Sequence, residues 1–190
     1  MATADADVEL MLRVKDGDEK AFAELFNRHA PRLVAYGDRF FHNRAIAEEV
    51  AQEVFLRLWR ARKKYRPRAR FTTWLYTIAT RVCLNELRRR RHRPRQRAGG
   101  EEVDPPDNHA DPGQVAQARQ VAERLQAAAD ALPERQRAAL WLVRLNGFSY
   151  RQVADILGMS QPAVKAALFR ATEAIRQALA RQDRRLENEL

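Results

Sequence analysis

Apolar residues recur at three- and four-residue intervals over most of the chain, which is the spacing of amphipathic helices. A first helix is predicted from Val8, and it ends near Gly17. Asp18 is placed to cap the N-terminus of a second helix, and Pro31 marks a point where that helix continues or a new one begins. A third helix is predicted from the clearest apolar stripe of the chain, at positions Ala47, Val50, Ala51, Val54 and Leu58.

A further long helix is predicted from Phe71, with an apolar stripe that extends to Val82. Thr72 or Thr73 is placed to cap its N-terminus. Basic residues crowd the preceding segment, residues 60–70, and four consecutive arginines follow at residues 88–91. The segment therefore combines a basic loop, an aromatic helix start and a cationic helix end.

The last part of the chain has the pattern of a helix-turn-helix unit. Ser149 is placed to cap a short helix over residues 150–157, and Gly158 is free to adopt the positive φ of a tight turn. Ser160 would cap the second helix, from Gln161 to about residue 176. In this second helix, Val164 and Leu168 are predicted to face inward. The predicted outward residues are Gln161, Ala163, Lys165, Ala166, Phe169 and Arg170.

Residues 93–113 separate the two helical parts. They combine prolines and glycines with five acidic residues and have almost no apolar content, so this segment is predicted to be a flexible linker. The predicted fold is all-α: a domain over residues 1–92 and a domain over residues 114–190, joined by this acidic Pro/Gly linker. The C-terminal domain carries the helix-turn-helix.

Composition narrows the classes of function. The chain has 190 residues, and its 35 Lys and Arg outnumber its 25 Asp and Glu, for a net charge of +10. This excess favours a polyanionic partner, nucleic acid before an acidic membrane surface. The single cysteine, Cys83, excludes an internal disulfide framework and a zinc finger. The chain lacks a run of about 18 apolar residues, and its short acidic N-terminus does not fit a secretory signal. We therefore expect a cytoplasmic protein without membrane insertion.

The basic and aromatic segment suits a single nucleic-acid strand, because cations follow phosphates while aromatic faces stack on unpaired bases. The alternative is that Phe71 and Trp74 belong only to the core and that the arginine run is solvated. For the aromatics taken separately the core interpretation is better. For the whole stretch we favour nucleic-acid binding.

A second face of the helix over residues 47–59 is not needed by the core. It carries Glu49, Gln52, Glu53, Leu56 and Arg60. Such a face is either simply solvated or a docking surface for a partner protein.

Together these motifs resemble the bacterial RNA polymerase sigma factors of the extracytoplasmic-function (ECF) type, group four of the sigma-70 family. The resemblance covers roughly residues 8–182. Residues 47–59 resemble the helix that docks on the polymerase clamp. Residues 71–79 and 85–89 resemble the segment that opens and reads the minus-10 element. Residues 149–154 and 158–165 resemble the domain that reads the minus-35 element.

The resemblance implies core RNA polymerase (clamp and flap) and promoter DNA as partners, together with an anti-sigma factor. The loop over residues 64–73 would help to hold a flipped base. The implied contact residues fall into three sets. Those for the polymerase are Glu49, Gln52, Glu53 and Leu56. Those for the minus-10 element are Arg66, Arg68, Arg70, Phe71, Thr72, Trp74, Arg81, Asn85 and Arg88. Those for the minus-35 element are Tyr150, Arg151, Gln161, Ala163, Lys165, Ala166, Phe169 and Arg170.

Ala166 and Ala167 occupy positions where family members often carry Ser-Arg, which leaves few side chains for minus-35 base contacts. Two other functions compete with the sigma-factor interpretation. A stand-alone repressor or activator would use the helix-turn-helix and leave the aromatic-basic helix unused. A nuclease or recombinase would need paired carboxylates at a common site, or a nucleophilic Ser or Tyr beside arginines. The carboxylates of this sequence fall on helix faces or in the linker, its four histidines are scattered, and it has neither a Gly-rich phosphate loop nor metal-ligand spacing. We therefore expect no catalytic residues, no metal and no cofactor.

Overall fold

The computed structural model describes the backbone of residues 2–92 and 112–187, and the side chains over residues 6–91 and 119–180. Within these ranges the chain forms eight α-helices and no β-strand, which confirms the predicted all-α class. The helices are α1 (Ala2–Lys15), α2 (Glu19–Phe41), α3 (Arg44–Ala61), α4 (Phe71–His92), α5 (Pro112–Asp130), α6 (Glu134–Arg144), α7 (Tyr150–Leu157) and α8 (Gln161–Glu187). One 3-10 turn, Arg62–Lys64, follows α3.

Helices α1 to α4 form the N-terminal bundle, in which α2 and α3 pack most extensively. All five residues of the predicted α3 stripe are buried. Gly37 of α2 lies against Ala47 of α3, and a Cβ at position 37 would lie 3.3 Å from the Ala47 Cβ. The two small residues therefore allow the helices to approach closely.

The helix ends of this bundle agree with the sequence at some positions and differ at others. Asp18 caps α2 as predicted, because its carboxylate accepts hydrogen bonds from the backbone N–H groups of residues 20 and 21. Pro31 lies inside α2, so this helix is continuous. The predicted Thr72 or Thr73 cap is wrong. Helix α4 begins at Phe71, and the backbone N–H of Thr73 already donates to the Arg70 carbonyl over 3.0 Å.

The C-terminal domain contains the predicted helix-turn-helix. Ser149 and Gln152 form a capping box at the start of α7, and Gly158 ends that helix at φ 60°. The Ser160 hydroxyl accepts from the backbone N–H of Ala163 and caps α8. Helix α8 continues to Glu187, beyond the predicted end near residue 176. Helix α5 begins at Pro112, inside the segment predicted as linker, while residues 93–111 lie outside the described residues.

The two domains contact each other chiefly where α4 meets α7. The Tyr76 ring packs edge-on against Phe148, with ring centroids 4.9 Å apart. The Asn146 side-chain amide donates to the Tyr76 hydroxyl over 2.7 Å. Burial raises the pKa of Tyr76 to about 12, so this hydroxyl keeps its proton at neutral pH.

A second group of contacts joins the C-terminal end of α2 to α5 and α6. The His42 ring lies 2.7 Å from the Asp130 carboxylate, and this hydrogen bond raises the pKa of His42. Arg137 is buried, bonds to Asp130 over 2.8 Å and covers the ring of Phe40 at 5.2 Å. The domain contact thus combines aromatic packing with a small charged cluster.

Candidate nucleic-acid and protein interfaces

The second face of α3 is exposed, opposite the buried stripe. Glu49, Gln52 and Leu56 are exposed, and Leu56 keeps 50% of its surface accessible. Glu53 is half-buried and accepts a hydrogen bond from Arg57 over 2.6 Å. An exposed leucine among polar residues makes no contribution to the core, so this face is available to a partner.

A shallow groove of about 410 Å³ separates α3 from α4 and contains residues that the sequence assigned to different sites. Glu49 and Glu53 of α3 line it together with Asn85 of α4. Glu86, also in its wall, accepts hydrogen bonds from Arg89 and Arg90 over 2.8 and 2.7 Å. Burial raises the pKa of Glu86, but these arginines outweigh it and hold that pKa below its usual range. Asn85 is therefore close to the predicted docking face.

The loop between α3 and α4 is anchored by Tyr65. This side chain is buried, and its ring lies 4.9 Å from that of Trp74. The Lys15 ammonium group donates to the Tyr65 carbonyl over 3.3 Å. Arg66, Arg68 and Arg70 follow the anchor, and all three are exposed. The loop thus carries three exposed arginines directly after a buried tyrosine.

One outward stripe of α4 carries polar and cationic groups. Arg81, Asn85 and Arg88 are exposed, and the half-buried Trp74 lies at the N-terminal end of the stripe. Phe71 differs from the sequence prediction: it is 1% exposed and packs against the His29 ring in the core. It supports the loop and offers no surface to a base in this conformation.

Thr72 lies apart from the outward stripe, in a cleft that faces the C-terminal domain. Its neighbours there are Tyr76, from the same face of α4, and Arg70. Thr72 and Asn85 were predicted to belong to one set of minus-10 contacts. They are thirteen positions apart on α4, which is about 20 Å along the helix axis. The predicted minus-10 residues therefore occupy two faces of α4.

In the helix-turn-helix, α8 exposes Gln161, Lys165, Phe169 and Arg170, and the Phe169 ring keeps 73% of its surface accessible. Ala163 and Ala166 are half-buried on the same side. Tyr150 and Arg151 are exposed at the start of α7. Ala167 is 2% exposed and belongs to the core. Of the two neighbouring alanines, Ala166 and Ala167, only Ala166 therefore reaches the outer surface of α8.

The residues that line the cleft between the domains could not be predicted from local sequence patterns. They include Arg32 and Arg39 of α2 and Arg144 at the end of α6. Arg144 is more than a hundred residues from Arg32 and Arg39 in the chain. No motif connects them, so only the tertiary contact of the two domains reveals the cluster. No group of three or more His, Cys, Asp or Glu side chains suited to a metal ion occurs among the described residues.

These features define a class: an all-helical, two-domain, nucleic-acid-binding protein with a helix-turn-helix in one domain and a basic, aromatic helix in the other. Comparison with protein-family models finds one match in each of these two domains. The model of sigma-70 region 2 matches residues 25–93, and the model of sigma-70 region 4 matches residues 122–175.

Curated relatives extend the match over most of the chain. It is 32% identical to the RNA polymerase sigma factor CarQ of Myxococcus xanthus, over 89% of this chain and 95% of the relative. It is 31% identical to the ECF RNA polymerase sigma-E factor of Escherichia coli K12, over 89% of this chain and 92% of the relative. The chain belongs to the sigma-70 family of RNA polymerase sigma factors, in its ECF group. Its function is promoter-specific transcription initiation with RNA polymerase, and it is a regulatory DNA-binding protein.

Solved structures support the fold. The structure of CnrH in complex with the cytosolic domain of CnrY aligns with a TM-score of 0.68 and 24% identity, over 92% of this chain and 97% of that one. The sigma factor RpoE of Bartonella quintana, in complex with the anti-sigma factor NepR, aligns with a TM-score of 0.65 and 21% identity, over 85% and 98%. Among the residues described here, no helix is long and apolar enough to cross a membrane.

Proposed function

We propose that three separate surfaces of this sigma factor perform three tasks in initiation. The exposed α3 face, formed by Glu49, Gln52, Glu53 and Leu56, docks on the clamp of core polymerase. The N-terminal domain, over residues 1–92, holds the unpaired minus-10 strand. The C-terminal domain, over residues 114–190, reads the minus-35 duplex and meets the polymerase flap.

The observation that carries the docking assignment is the exposure of Leu56. A leucine that keeps half of its surface in water stabilises the isolated domain less than a buried one does. In an interface it would supply a central apolar contact, with Gln52 and Glu49 forming a polar border around it. The bundle satisfies its core without this face, so the face is free for the polymerase.

The strand surface combines the exposed loop arginines with the outward stripe of α4. Arg66, Arg68, Arg81 and Arg88 supply cations for phosphates, while Asn85 offers an amide that pairs with the edge of an unstacked base. Trp74 is half-buried and has part of its ring available for stacking. Arg70 and Thr72 would contact the strand from the other face of α4, where the C-terminal domain packs in this conformation.

The duplex surface is the outer side of α8 with the start of α7. Lys165 and Arg170 reach phosphates or guanine edges in the major groove, and Gln161 suits an adenine edge. Ala166 and Phe169 offer apolar contact to thymine methyl groups. Tyr150 and Arg151 lie at the start of α7, the first helix of the unit, which crosses the DNA backbone in this motif.

An anti-sigma factor is a further proposed partner, because both structural neighbours above were solved with a protein bound, and one of these is named an anti-sigma factor. We also propose that the protein acts in the cytoplasm, where the polymerase is, and that it has no catalytic reaction, metal or cofactor of its own.

The docking assignment is tested by replacing Gln52 and Leu56 together with alanine. We expect the affinity for core polymerase to fall at least about tenfold, or about 1.4 kcal/mol, without loss of helicity. Leu12→Ala is the matched control, because Leu12 is an exposed leucine of the same domain, on α1. Binding is measured by fluorescence anisotropy of the labelled full chain. Unchanged affinity of the double variant, with unchanged circular dichroism, contradicts the assignment.

A further inference from the structure

A cleft of about 630 Å³ lies between the two domains, with a wall from each. The N-terminal domain contributes Arg32 and Arg39 from α2 and Arg70 from the loop that precedes α4. The C-terminal domain contributes Arg144, next to the turn that connects α6 to α7. Four arginines from three separate segments therefore border one opening.

In the part of the chain that the structure describes, no acidic side chain neutralises these arginines. No carboxylate lines the cleft, and Arg32, Arg70 and Arg144 form no ion pair with any acidic residue in the described part of the chain. Arg39 contacts only uncharged groups, the Gln126 amide oxygen at 3.2 Å and the Trp141 ring at 5.7 Å. Unpaired cations brought together in a concave site repel each other and attract a mobile anion.

Two acids close to residues of the cleft walls already have partners of their own. Asp7, beyond the His29 wall of the cleft, pairs with Arg28 over 2.6 Å and lies 3.0 Å from the His29 ring. Asp130, at the other domain contact, bonds to His42 and Arg137. Among the described residues, no carboxylate is therefore paired with a cleft arginine.

The walls also supply uncharged donors. Thr72 is half-buried in the cleft and brings a hydroxyl group. Gln152 lines the opposite side, where its Oε1 accepts from the Ser149 backbone N–H over 2.9 Å, so its amide N–H groups remain as donors. Guanidinium forks combined with neutral donors are the chemistry that recognises phosphate groups.

We propose that this cleft binds a small anion with several phosphate groups, a nucleoside triphosphate or inorganic tripolyphosphate, and that the bound anion holds the two domains together. The volume is within the usual range for small-ligand sites, which are common at domain boundaries. The cations come from both domains. The anion therefore binds the closed arrangement, in which the two domains are in contact, more tightly than an open arrangement in which they are apart. It therefore shifts the population toward the closed form.

The first experiment measures binding of tripolyphosphate and of ATP to the full chain by isothermal titration calorimetry at constant ionic strength. We expect saturable binding of both, with one anion per chain. Equal affinities identify the triphosphate group as the ligand, whereas tighter binding of ATP shows that the nucleoside also contacts the cleft. Arg144→Gln is expected to weaken binding at least tenfold. Arg135→Gln, an exposed arginine of the same helix that does not line the cleft, is the matched control and is expected to bind normally.

The second experiment tests the bridging role by small-angle X-ray scattering. Tripolyphosphate is expected to reduce the radius of gyration of the parent chain and of Arg135→Gln, but not that of Arg144→Gln. Equal affinity of the two variants for tripolyphosphate overturns the site. Binding with an unchanged radius of gyration overturns the bridging role. If a short single-stranded oligonucleotide binds in an Arg144-dependent way and tripolyphosphate fails to displace it, the cleft is a path for a nucleic-acid strand and the proposal is wrong.

Discussion

At the scale of single residues, burial separates two alanines that look equivalent in the sequence. Ala166 is half-buried on the outer side of α8, while Ala167 is 2% exposed and packs in the core of the C-terminal domain. A larger side chain at position 167 of this chain would need room in that core, whichever bases the helix reads. Ala167 is therefore a packing residue here, and Ala166 is the one of the two that faces outward.

We predict that Ala167→Leu destabilises the C-terminal domain by about 1 to 3 kcal/mol, because it overpacks a filled core. Ala166→Leu is the matched change at the surface and should shift stability by no more than about 0.5 kcal/mol. Urea unfolding followed by circular dichroism measures both. Equal stability of the two variants would show that position 167 is not in a packed core.

At the scale of elements, α4 has one side against the C-terminal domain and the opposite side in solvent. Tyr76 and Asn85 are nine residues apart, which is about two and a half turns, so their side chains point in opposite directions. The Tyr76 side contacts Phe148 and Asn146 of the C-terminal domain. The Asn85 side, with Arg81 and Arg88, stays exposed. The domain contact therefore leaves the proposed strand stripe uncovered.

Because the two proposed DNA surfaces are separate, we predict that substitutions in them have different effects on initiation. Asn85→Ala should spare duplex binding by the full chain and reduce promoter opening with polymerase, because the role we propose for the amide is contact with an unpaired base. Lys165→Ala or Arg170→Ala should weaken binding to minus-35 duplex, by about 1 to 3 kcal/mol where the side chain reads a base edge.

Permanganate reactivity of unpaired thymines at a cognate promoter measures opening, and gel shifts measure duplex binding. Arg135→Ala serves as control for the loss of one exposed positive charge in the C-terminal domain. The separate assignment is wrong if Asn85→Ala opens the promoter as well as the parent chain does and Lys165→Ala retains full duplex affinity.

Periodicity was sufficient to predict most elements, because each helix buries one face. The α3 stripe, the Asp18 cap and the helix-turn-helix with its Gly158 turn all follow from local rules. The start of α4 did not, since Arg70 provides the first backbone acceptor and no side-chain cap is needed. The core position of Phe71 depends on packing against His29, from a distant helix. The composition of the segment could not show whether Phe71 packs in the core or stacks on a nucleic-acid base.

At the scale of the whole molecule, the feature that the sequence did not reveal is the contact between the domains. It depends on pairs such as Tyr76 with Asn146 and His42 with Asp130, which are 70 and 88 residues apart. Nothing in the local sequence around these four residues identifies the partner of any of them. The arginine cleft arises from the same long-range arrangement. Local patterns thus define the two domains and their separate surfaces, while the relation between the domains requires the three-dimensional structure.

The most direct test of the central claim is transcription in vitro with purified core RNA polymerase, this chain and genomic DNA of its host, followed by mapping of the RNA 5′ ends. We predict that the chain creates new start sites which share paired sequence elements near minus-35 and minus-10. The Gln52→Ala/Leu56→Ala variant should reduce all of these start sites together, and Leu12→Ala should retain them. A set of 5′ ends identical to that of core polymerase without the chain would contradict the function.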